Sequence, residues 1–189
     1  MSSLAEREKK LLLELARRSL TAAVADLLSV REIPSELQSI GAGEPSGAFV
    51  TLFKNKRLRG CIGQLPGTDS LADVVAHCAR AVATEDPRFS RVQPAEVALI
   101  EIEISVLSPL EEIQPLEIEV GKHGLVVTRG AQRGVLLPQV TLQFRWNARR
   151  FLEATCEKAG LPPNAWQIPG TRIQCFTCEI FSEAGCEGE

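Results

Sequence analysis

The amino-acid sequence predicts an α+β fold, with a mixed, mostly antiparallel sheet flanked by helices. Some segments carry apolar residues at helical spacing, and several shorter ones have the alternation or composition of strands. The two kinds of segment are mixed without a regular βαβ repeat, which argues against a doubly wound sheet. The chain has 189 residues, and about 100–200 residues are typical of one domain. We therefore predict a single domain over residues 1–189.

The N-terminal segments predict a helix, a loop and a hairpin. Residues 4–29 should be helical, because leucines and valines recur at helical spacing between charged residues. Residues 30–46 hold two prolines and two glycines, which indicate a loop. The segment 47–65 is rich in strand-forming residues on both sides of Asn55 and Lys56. This pattern predicts a β-hairpin with those two residues in the turn.

The next segments predict a second helix and a strand. An apolar stripe predicts a helix over 69–84, with Thr68 or Asp69 as its N-terminal cap. A proline in residues 85–89 should take the chain out of the helix. Residues 98–107 alternate strictly between aliphatic and polar side chains, so we expect a half-buried strand there.

The C-terminal part predicts short strands and a third helix. Residues 147–159 carry an apolar helical face, and Gly160 is a natural C-terminal stop. Residues 183–189 are predicted to be a flexible tail. The predicted strands are residues 116–120, 125–128, 134–138 and 172–181.

Composition excludes several classes of function. The net charge is −3, Tyr is absent and aromatic residues make up 5% of the chain. With no basic block standing out, we predict that the protein does not bind nucleic acid. No stretch approaches the roughly 20 apolar residues of a membrane span, and the N-terminus lacks a signal peptide's apolar run. We therefore expect a cytoplasmic protein that does not enter a membrane, with its six cysteines reduced.

The segment LRGCIG (58–63) is the main candidate for a functional site. Gly60 and Gly63 lie on either side of Cys61 on a predicted strand, where glycine marks a bulge or a close approach to the backbone. Arg59 shares a strand face with Cys61, so its charge could favour the reactive thiolate. The alternative is a cysteine that acts as a small buried apolar residue. The local residues by themselves favour this alternative.

Four further residues are candidates for acid–base chemistry or for binding. A histidine in the turn GKHG is a typical general acid or base, or else a turn residue that tolerates unusual dihedral angles. A glutamate on the polar face of the strand 98–107 is either half of an acid–base pair or part of a charged outer face. An aspartate and an arginine in DPRF could lie near a site or pair with each other. These residues are His123, Glu103, Asp86 and Arg88.

A C-x-x-C pair is formed by Cys175 and Cys178 on the last predicted strand. Residues three apart on a strand face opposite sides, so we predict no metal site and no redox pair there. Phe176, Cys178 and Ile180 are instead expected to form a core face. The sequence contains no phosphate-binding loop and no zinc-protease motif, so any cofactor is unknown.

Several motifs occur together in the order seen in one known family. They are GAFVTL, LRGCIG, DPRF, EISVLS, GKHGLVV, LLPQV, FLEATCEKAGL and the later Trp166. The chain thus resembles the AMME chromosomal-region (AMMECR) domain family, whose bacterial and archaeal members are called AmmeMemoRadiSam system protein A. The resemblance runs from about residue 8 to 182. It implies an α+β domain with a larger and a smaller lobe and the LRGCIG signature in a cleft between them. It also implies association with a Memo-like protein and a radical-SAM protein.

The resemblance marks a set of positions but assigns no reaction. One hypothesis is a thiol-dependent enzyme in which Cys61 is the nucleophile, His123 the acid or base, and Glu103 the orienting carboxylate. The alternative is a non-catalytic accessory protein that binds a small anionic ligand or one of the two partners. The ligand-binding positions would then be Arg59, Gly60, Gly63, Asp86, Arg88 and Gln139. The full set of marked positions is Arg59, Gly60, Cys61, Gly63, Asp86, Arg88, Phe89, Glu103, His123, Pro138 and Gln139.

Overall fold

Two separate four-stranded sheets organise the chain. The structure, a computed structural model, describes residues 3–25, 33, 35–40 and 46–186. The chain divides into a first compact unit, Met1–Pro109 with Glu179–Glu189, and a second, Leu110–Cys178. Each unit contains its own apolar core, and the predicted α+β class is confirmed. Within the described ranges, no helix is long and apolar enough to cross a membrane.

The elements have the following bounds. The α-helices are α1 (Glu6–Val24), α2 (Ser35–Gln38), α3 (Leu71–Thr84), α4 (Pro138–Phe144), α5 (Ala148–Lys158) and α6 (Glu183–Cys186). The strands are β1 (Ser46–Lys54), β2 (Arg57–Gly67), β3 (Ile100–Leu107), β4 (Glu111–Glu112), β5 (Gly124–Arg129), β6 (Gln132–Leu136), β7 (Arg172–Phe176) and β8 (Cys178–Ser182). Short 3₁₀ turns cover Pro94–Leu99, Pro115–Glu117 and Ala165–Gln167.

The sheet of the first unit has the order β2-β1-β3-β8, with β1 antiparallel to both β2 and β3. One face of this sheet packs into a core with α1 and α3, and Val50, Leu52 and Ile102 are fully buried in it. Because side chains alternate along a strand, the residues between them point to the opposite face. That opposite face carries the candidate site.

The hairpin predicted over 47–65 is confirmed as β1 and β2. Asn55 and Lys56 form its turn with φ angles of 51° and 61°. Two consecutive left-handed residues make the tight turn that suits the right-handed twist of paired strands. The strand predicted over 98–107 is likewise confirmed as β3, after a 3₁₀ turn that ends at Leu99.

The first unit departs from the predicted boundaries in three places. The cap of α3 is Ser70, neither Thr68 nor Asp69, and its side chain accepts a hydrogen bond from the Asp73 backbone N–H at 3.2 Å. α1 ends at Val24, and residues 26–29 of its predicted range lie outside the described residues. Most of the loop predicted over 30–46 also lies outside them, but α2 and the start of β1 fall within its range.

The predicted tail is helical over Glu183–Cys186, while residues 187–189 lie outside the described residues. The Glu183 carboxylate accepts hydrogen bonds from the Arg17 guanidinium and from the Ile102 backbone N–H. These bonds hold the segment against α1 and β3, a long-range contact that local composition does not reveal.

The sheet of the second unit has the order β4-β7-β5-β6. The strand predicted over 125–128 is confirmed as β5, and the helix predicted over 147–159 is confirmed as α5. Asn147 caps α5 by accepting the Arg150 backbone N–H at 2.9 Å. Gly160 follows with a φ of 72°, a conformation that glycine adopts without strain.

Three predicted strands of the C-terminal part need correction. Residues 116–120 are not a strand, because Pro115 starts a 3₁₀ turn that the Glu117 carboxylate closes on the Gln114 N–H at 2.8 Å. The strand predicted over 134–138 is β6, which ends at Leu136. Pro138 has no N–H to donate to a sheet and begins α4 instead.

The strand predicted over 172–181 is interrupted at Thr177. Its two parts, β7 and β8, belong to different sheets. The interruption changes which side chains face the core, so Ile180 is 45% exposed while Phe181 is buried. The core face expected for Phe176, Cys178 and Ile180 is therefore wrong.

Candidate functional site

Cys61 lies on β2, the edge strand of the first unit's sheet. It pairs with Thr51 of β1, and Thr51 pairs in turn with Glu103 of β3. Residues directly opposite one another across a sheet point to the same face. Cys61, Thr51 and Glu103 therefore form a row across three strands, which we call the Cys61 row. Its face is opposite to the one that α1 and α3 cover.

The Thr51 hydroxyl donates a hydrogen bond to the Cys61 Sγ at 3.3 Å. This contact follows from the strand pairing. The Cys61 N–H points away from β1, so Cys61 and Thr51 are a pair without mutual backbone bonds, the kind in which side chains lie closest. Thr51 is buried and Cys61 half-buried, so the thiol has one polar neighbour fixed within the sheet.

Asp86 and Arg88 hold the Cys61 peptide from the open side of the edge strand. The Asp86 carboxylate accepts the Cys61 backbone N–H at 2.9 Å, and the Arg88 guanidinium donates to the Cys61 carbonyl at 3.0 Å. The two side chains also form a two-point pair at 2.9 and 2.7 Å. Together they take the place that another strand would occupy. We call this pair the Asp86–Arg88 clamp.

A side chain is excluded at Gly60 and at Gly63 for different structural reasons. A Cβ at Gly60 would lie 3.0 Å from Val82 Cγ2 and 3.3 Å from the Val82 carbonyl oxygen. The bare backbone lets the end of α3 approach the strand, which brings Asp86 to the Cys61 N–H. At Gly63 a Cβ would lie 2.2 Å from Phe49 Cδ1, because the Phe49 ring covers this position. Phe49 therefore forms an apolar wall beside Cys61.

Arg59 contacts a different partner from the one the sequence suggests. Its guanidinium binds the Glu96 carboxylate at 3.2 and 3.0 Å, and Lys54 binds the same carboxylate at 2.8 Å. An irregularity in the β1–β2 pairing leaves Arg59 without a partner residue on β1. The rule that positions two apart on a strand share a face therefore does not hold for Arg59 and Cys61. The cation that favours the Cys61 thiolate is Arg88, and the role expected of Arg59 there is wrong.

The electrostatics keep Cys61 as a neutral thiol. Burial raises the pKa of Cys61 above its ordinary value; the Thr51 hydrogen bond and the Arg88 charge lower it, but by less. Burial, and then repulsion from Glu101, raises the pKa of Glu103 as well. Hydrogen bonds from Arg88 lower the pKa of Asp86 to about 2, so the clamp stays ionised. The Cys61 row thus combines a protonated thiol with a carboxyl that binds its proton more tightly than usual.

His123 and Gln139 belong to the second compact unit, whereas Cys61 and Glu103 belong to the first. The His123 Nδ1 accepts the Glu119 backbone N–H at 3.1 Å, so in the neutral ring the proton is on Nε2. Gln139 is half-buried in the first turn of α4, after Pro138. The roles hypothesised for His123 and Gln139, at positions that the resemblance marks, stay predictions.

The two cysteines of the remaining motif belong to different sheets. Cys175 is buried on β7 of the second sheet, and Cys178 lies on β8 of the first. Burial raises the pKa of Cys178 to about 12. Within the described part of the chain, no group of three or more His, Cys, Asp or Glu residues is placed to hold a metal ion.

Sequence reasoning missed three residues that shape this region. Thr51 and Phe49 lie beside Cys61, and Glu96 binds Arg59. Alternation along GAFVTLFK would have assigned Thr51 and Phe49 to one face. The register that sets Thr51 opposite Cys61 depends on the hairpin turn, and no local signal points from Arg59 to Glu96.

Comparison with known proteins places this chain in a family. The AMMECR1 family model matches residues 13–181. A protein from Methanothermobacter thermautotrophicus is 40% identical, with 96% of this chain and 97% of that protein covered. A protein from Methanosarcina barkeri is also 40% identical, with 98% and 95% covered.

A solved structure shows the same fold. The crystal structure of the uncharacterized protein PH0010 from Pyrococcus horikoshii matches with a TM-score of 0.87 and 35% identity. The match covers 98% of this chain and 96% of that one. The family model, the relatives and the shared fold all span nearly the whole chain. This chain therefore belongs to the AMMECR1 family.

Proposed function

We propose that this protein is a thiol-dependent enzyme that acts on a small or modified substrate, with Cys61 as its reactive group. The observation that carries the proposal is the Cys61 row, in which a thiol, a hydroxyl and a carboxyl stand side by side on one sheet face. A thiol held in its neutral form needs a base before it can act as a nucleophile. Glu103, whose pKa is raised by burial, is a stronger base than an ordinary carboxylate.

Each neighbour of Cys61 has a role in this proposal. Glu103, two strands away from Cys61, takes the thiol proton through a bound substrate. The Thr51 hydroxyl and the Arg88 cation then stabilise the sulfur as it becomes negative. The Asp86–Arg88 clamp fixes the backbone of Cys61, so the sulfur keeps its position during the reaction. The acid–base role hypothesised for His123, which belongs to the second unit, stays part of the proposal.

The test is mass spectrometry of the protein after incubation with cell extract under reducing conditions, which suit the predicted cytoplasmic location. Wild type should gain a Cys61-bound adduct that Cys61→Ser lacks and that Glu103→Gln forms more slowly. Cys78 supplies an internal control, because it is fully buried and trypsin leaves it in the same peptide, 60–80. Cys78 should stay unmodified. An unchanged mass in wild type, with equal rates of Cys61 alkylation in wild type and Glu103→Gln, would refute the proposal that this protein is a thiol-dependent enzyme.

An accessory protein is the second candidate, and the raised pKa of Cys61 is the observation that favours it. A resting thiol with ordinary or low reactivity fits a binding site as well as a latent nucleophile. In this candidate the Cys61 face holds a small anionic ligand beside Arg88, which is 51% exposed, or binds a Memo-like or radical-SAM partner. Co-purification of the same partner with wild type and Cys61→Ser, without any adduct, would favour this function. Purification of wild type without any partner would count against it.

A further inference from the structure

The end of the β1–β2 hairpin concentrates positive charge on a chain whose net charge is −3. Glu96 pairs with two of its cations, at 2.8 and 3.0 Å. The other two are exposed, and no ion pair joins them to a residue in the described part of the chain. This surface, which we call the basic hairpin end, consists of Lys54, Lys56, Arg57 and Arg59.

Two features of the basic hairpin end oppose the local stability of the hairpin. Lys54 and Arg57 pair directly across the strands, and like charges in that position repel. Lys56 has a φ of 61°, in the second position of a turn that strongly prefers glycine after asparagine. A lysine there adds a second exposed charge and strains the backbone. Breaks with local preference of this kind are typical of functional surfaces.

Three of these four cations also line a groove. Lys54, Asn55, Arg57, Leu58 and Arg59 surround an open depression of about 450 Å³. Leu58 is 45% exposed, so the groove has an apolar patch among its cations. It has no aromatic side chain in its lining, whereas single-stranded nucleic acid is bound by stacking bases on aromatic rings. A free phosphate ion would use the cations but would leave the leucine uncovered.

We propose that the basic hairpin end docks an acidic segment of a partner protein, with an apolar side chain of that segment on Leu58. The exposed cations provide the charge complementarity, and Leu58 selects a peptide over a bare anion. β2 runs from Arg57 to Cys61, a distance of about 13 Å along an extended strand. A docked segment of a few residues therefore reaches the neighbourhood of Cys61. The docking surface does not depend on the thiol chemistry proposed above.

Fluorescence anisotropy with the full-length protein tests this proposal. The probe is a fluorescein-labelled, glutamate-rich peptide with one central leucine, and its counterpart has glutamine at every glutamate. At low salt, wild type should bind the glutamate probe roughly 10-fold more tightly, and added salt should weaken this binding. The double variant K56G/R57T should bind the probe at least about 5-fold more weakly than wild type.

The same variant controls for misfolding. Glycine after Asn55 suits the turn, and replacing Arg57 with threonine removes the like-charge pair. K56G/R57T should therefore melt roughly 2–4 °C higher than wild type. The control variant is R149A/R172A, which removes two cations that are 77% and 60% exposed on the second unit. It should bind the probe as wild type does.

Three results would overturn the docking surface. One is equal affinity of wild type and K56G/R57T, and another is an equal loss in R149A/R172A. The third is a preference for a non-peptide ligand, seen either as tighter binding of a labelled single-stranded oligonucleotide or as full displacement of the peptide by inorganic phosphate at constant ionic strength. The third result would identify a nucleic-acid or phosphate site in place of a peptide site.

Discussion

Gly63 shows how a missing side chain shapes the face that carries Cys61. The Phe49 ring occupies the space where a Cβ at residue 63 would lie, with 2.2 Å between that Cβ and Cδ1. Any larger residue at 63 must therefore displace the ring that forms the wall beside the thiol. Gly67, on the same strand, has only ordinary contacts at 3.9 Å around its added Cβ. Gly67 is therefore a matched control for a substitution at Gly63.

We expect Gly63→Ala to lower the free energy of unfolding by about 1–3 kcal/mol, because the added methyl overpacks against Phe49. Gly67→Ala should stay within about 0.5 kcal/mol of wild type or be slightly stabilising. Urea denaturation followed by circular dichroism gives both values. A Gly63→Ala protein as stable as Gly67→Ala would show that the ring moves aside without cost.

At the scale of elements, the Asp86–Arg88 clamp explains how an edge strand carries a fixed cysteine. Edge strands leave every second N–H and C=O without a partner strand. Here the segment after α3 supplies a carboxylate and a guanidinium to the N–H and C=O of Cys61. The clamp requires the close approach of α3 that Gly60 permits. The DPRF motif therefore supplies the side chains that bind the backbone of the LRGCIG motif.

Asp86→Asn should destabilise the protein by about 2–3 kcal/mol, since it weakens hydrogen bonds to a buried charged acceptor. It should also speed hydrogen exchange at the Cys61 amide, measured by mass spectrometry of peptides that contain residue 61. Asp69→Asn is the control, because Asp69 is exposed and bonds only the Gln64 side chain. It should change stability by less than about 0.5 kcal/mol. Unaltered exchange at Cys61 in Asp86→Asn would contradict the clamp.

At the scale of the whole molecule, acid sensitivity is concentrated in the first compact unit. Among the described residues, the two carboxyls whose pKa is lowered to about 2, Asp86 and Glu96, both belong to it. Hydrogen bonds from Arg59, and then from Lys54, are the main causes at Glu96. Both tryptophans, Trp146 and Trp166, lie in the second unit. Tryptophan fluorescence therefore follows the second unit, and circular dichroism also detects the helices of the first.

The lowered pKa of Glu96 fixes the sign of its pH dependence. Its contribution to stability is fully present above about pH 4.5, the ordinary value, and is lost as pH falls toward about 2. In that window, Glu96→Gln should reduce the slope of unfolding free energy against pH by up to about 1.4 kcal/mol per pH unit. Circular dichroism at a series of pH values measures this slope. The control variant is Glu36→Gln, which removes one partner of an exposed surface ion pair and should change stability by less than about 1 kcal/mol.

Local sequence patterns were sufficient to predict the elements that short-range interactions determine. Alternation in residues 98–107 predicted β3, and Asn55 with Lys56 predicted the hairpin turn. The same reasoning failed where a proline or a single interrupting residue changed the course of the chain, as at Pro115 and Thr177. The family resemblance identified the motif residues but not what they contact.

Tertiary structure alone decided the contacts of the candidate site. The sequence determined that a glycine-flanked cysteine would lie on the second strand of a hairpin, because turn and alternation are short-range properties. It could not determine that Arg59 binds Glu96, or that Asp86 and Arg88 hold the Cys61 peptide. Those partners are 25 to 37 residues apart in the chain. They meet only because the register of β1 with β2 and the packing of α3 on Gly60 bring them together.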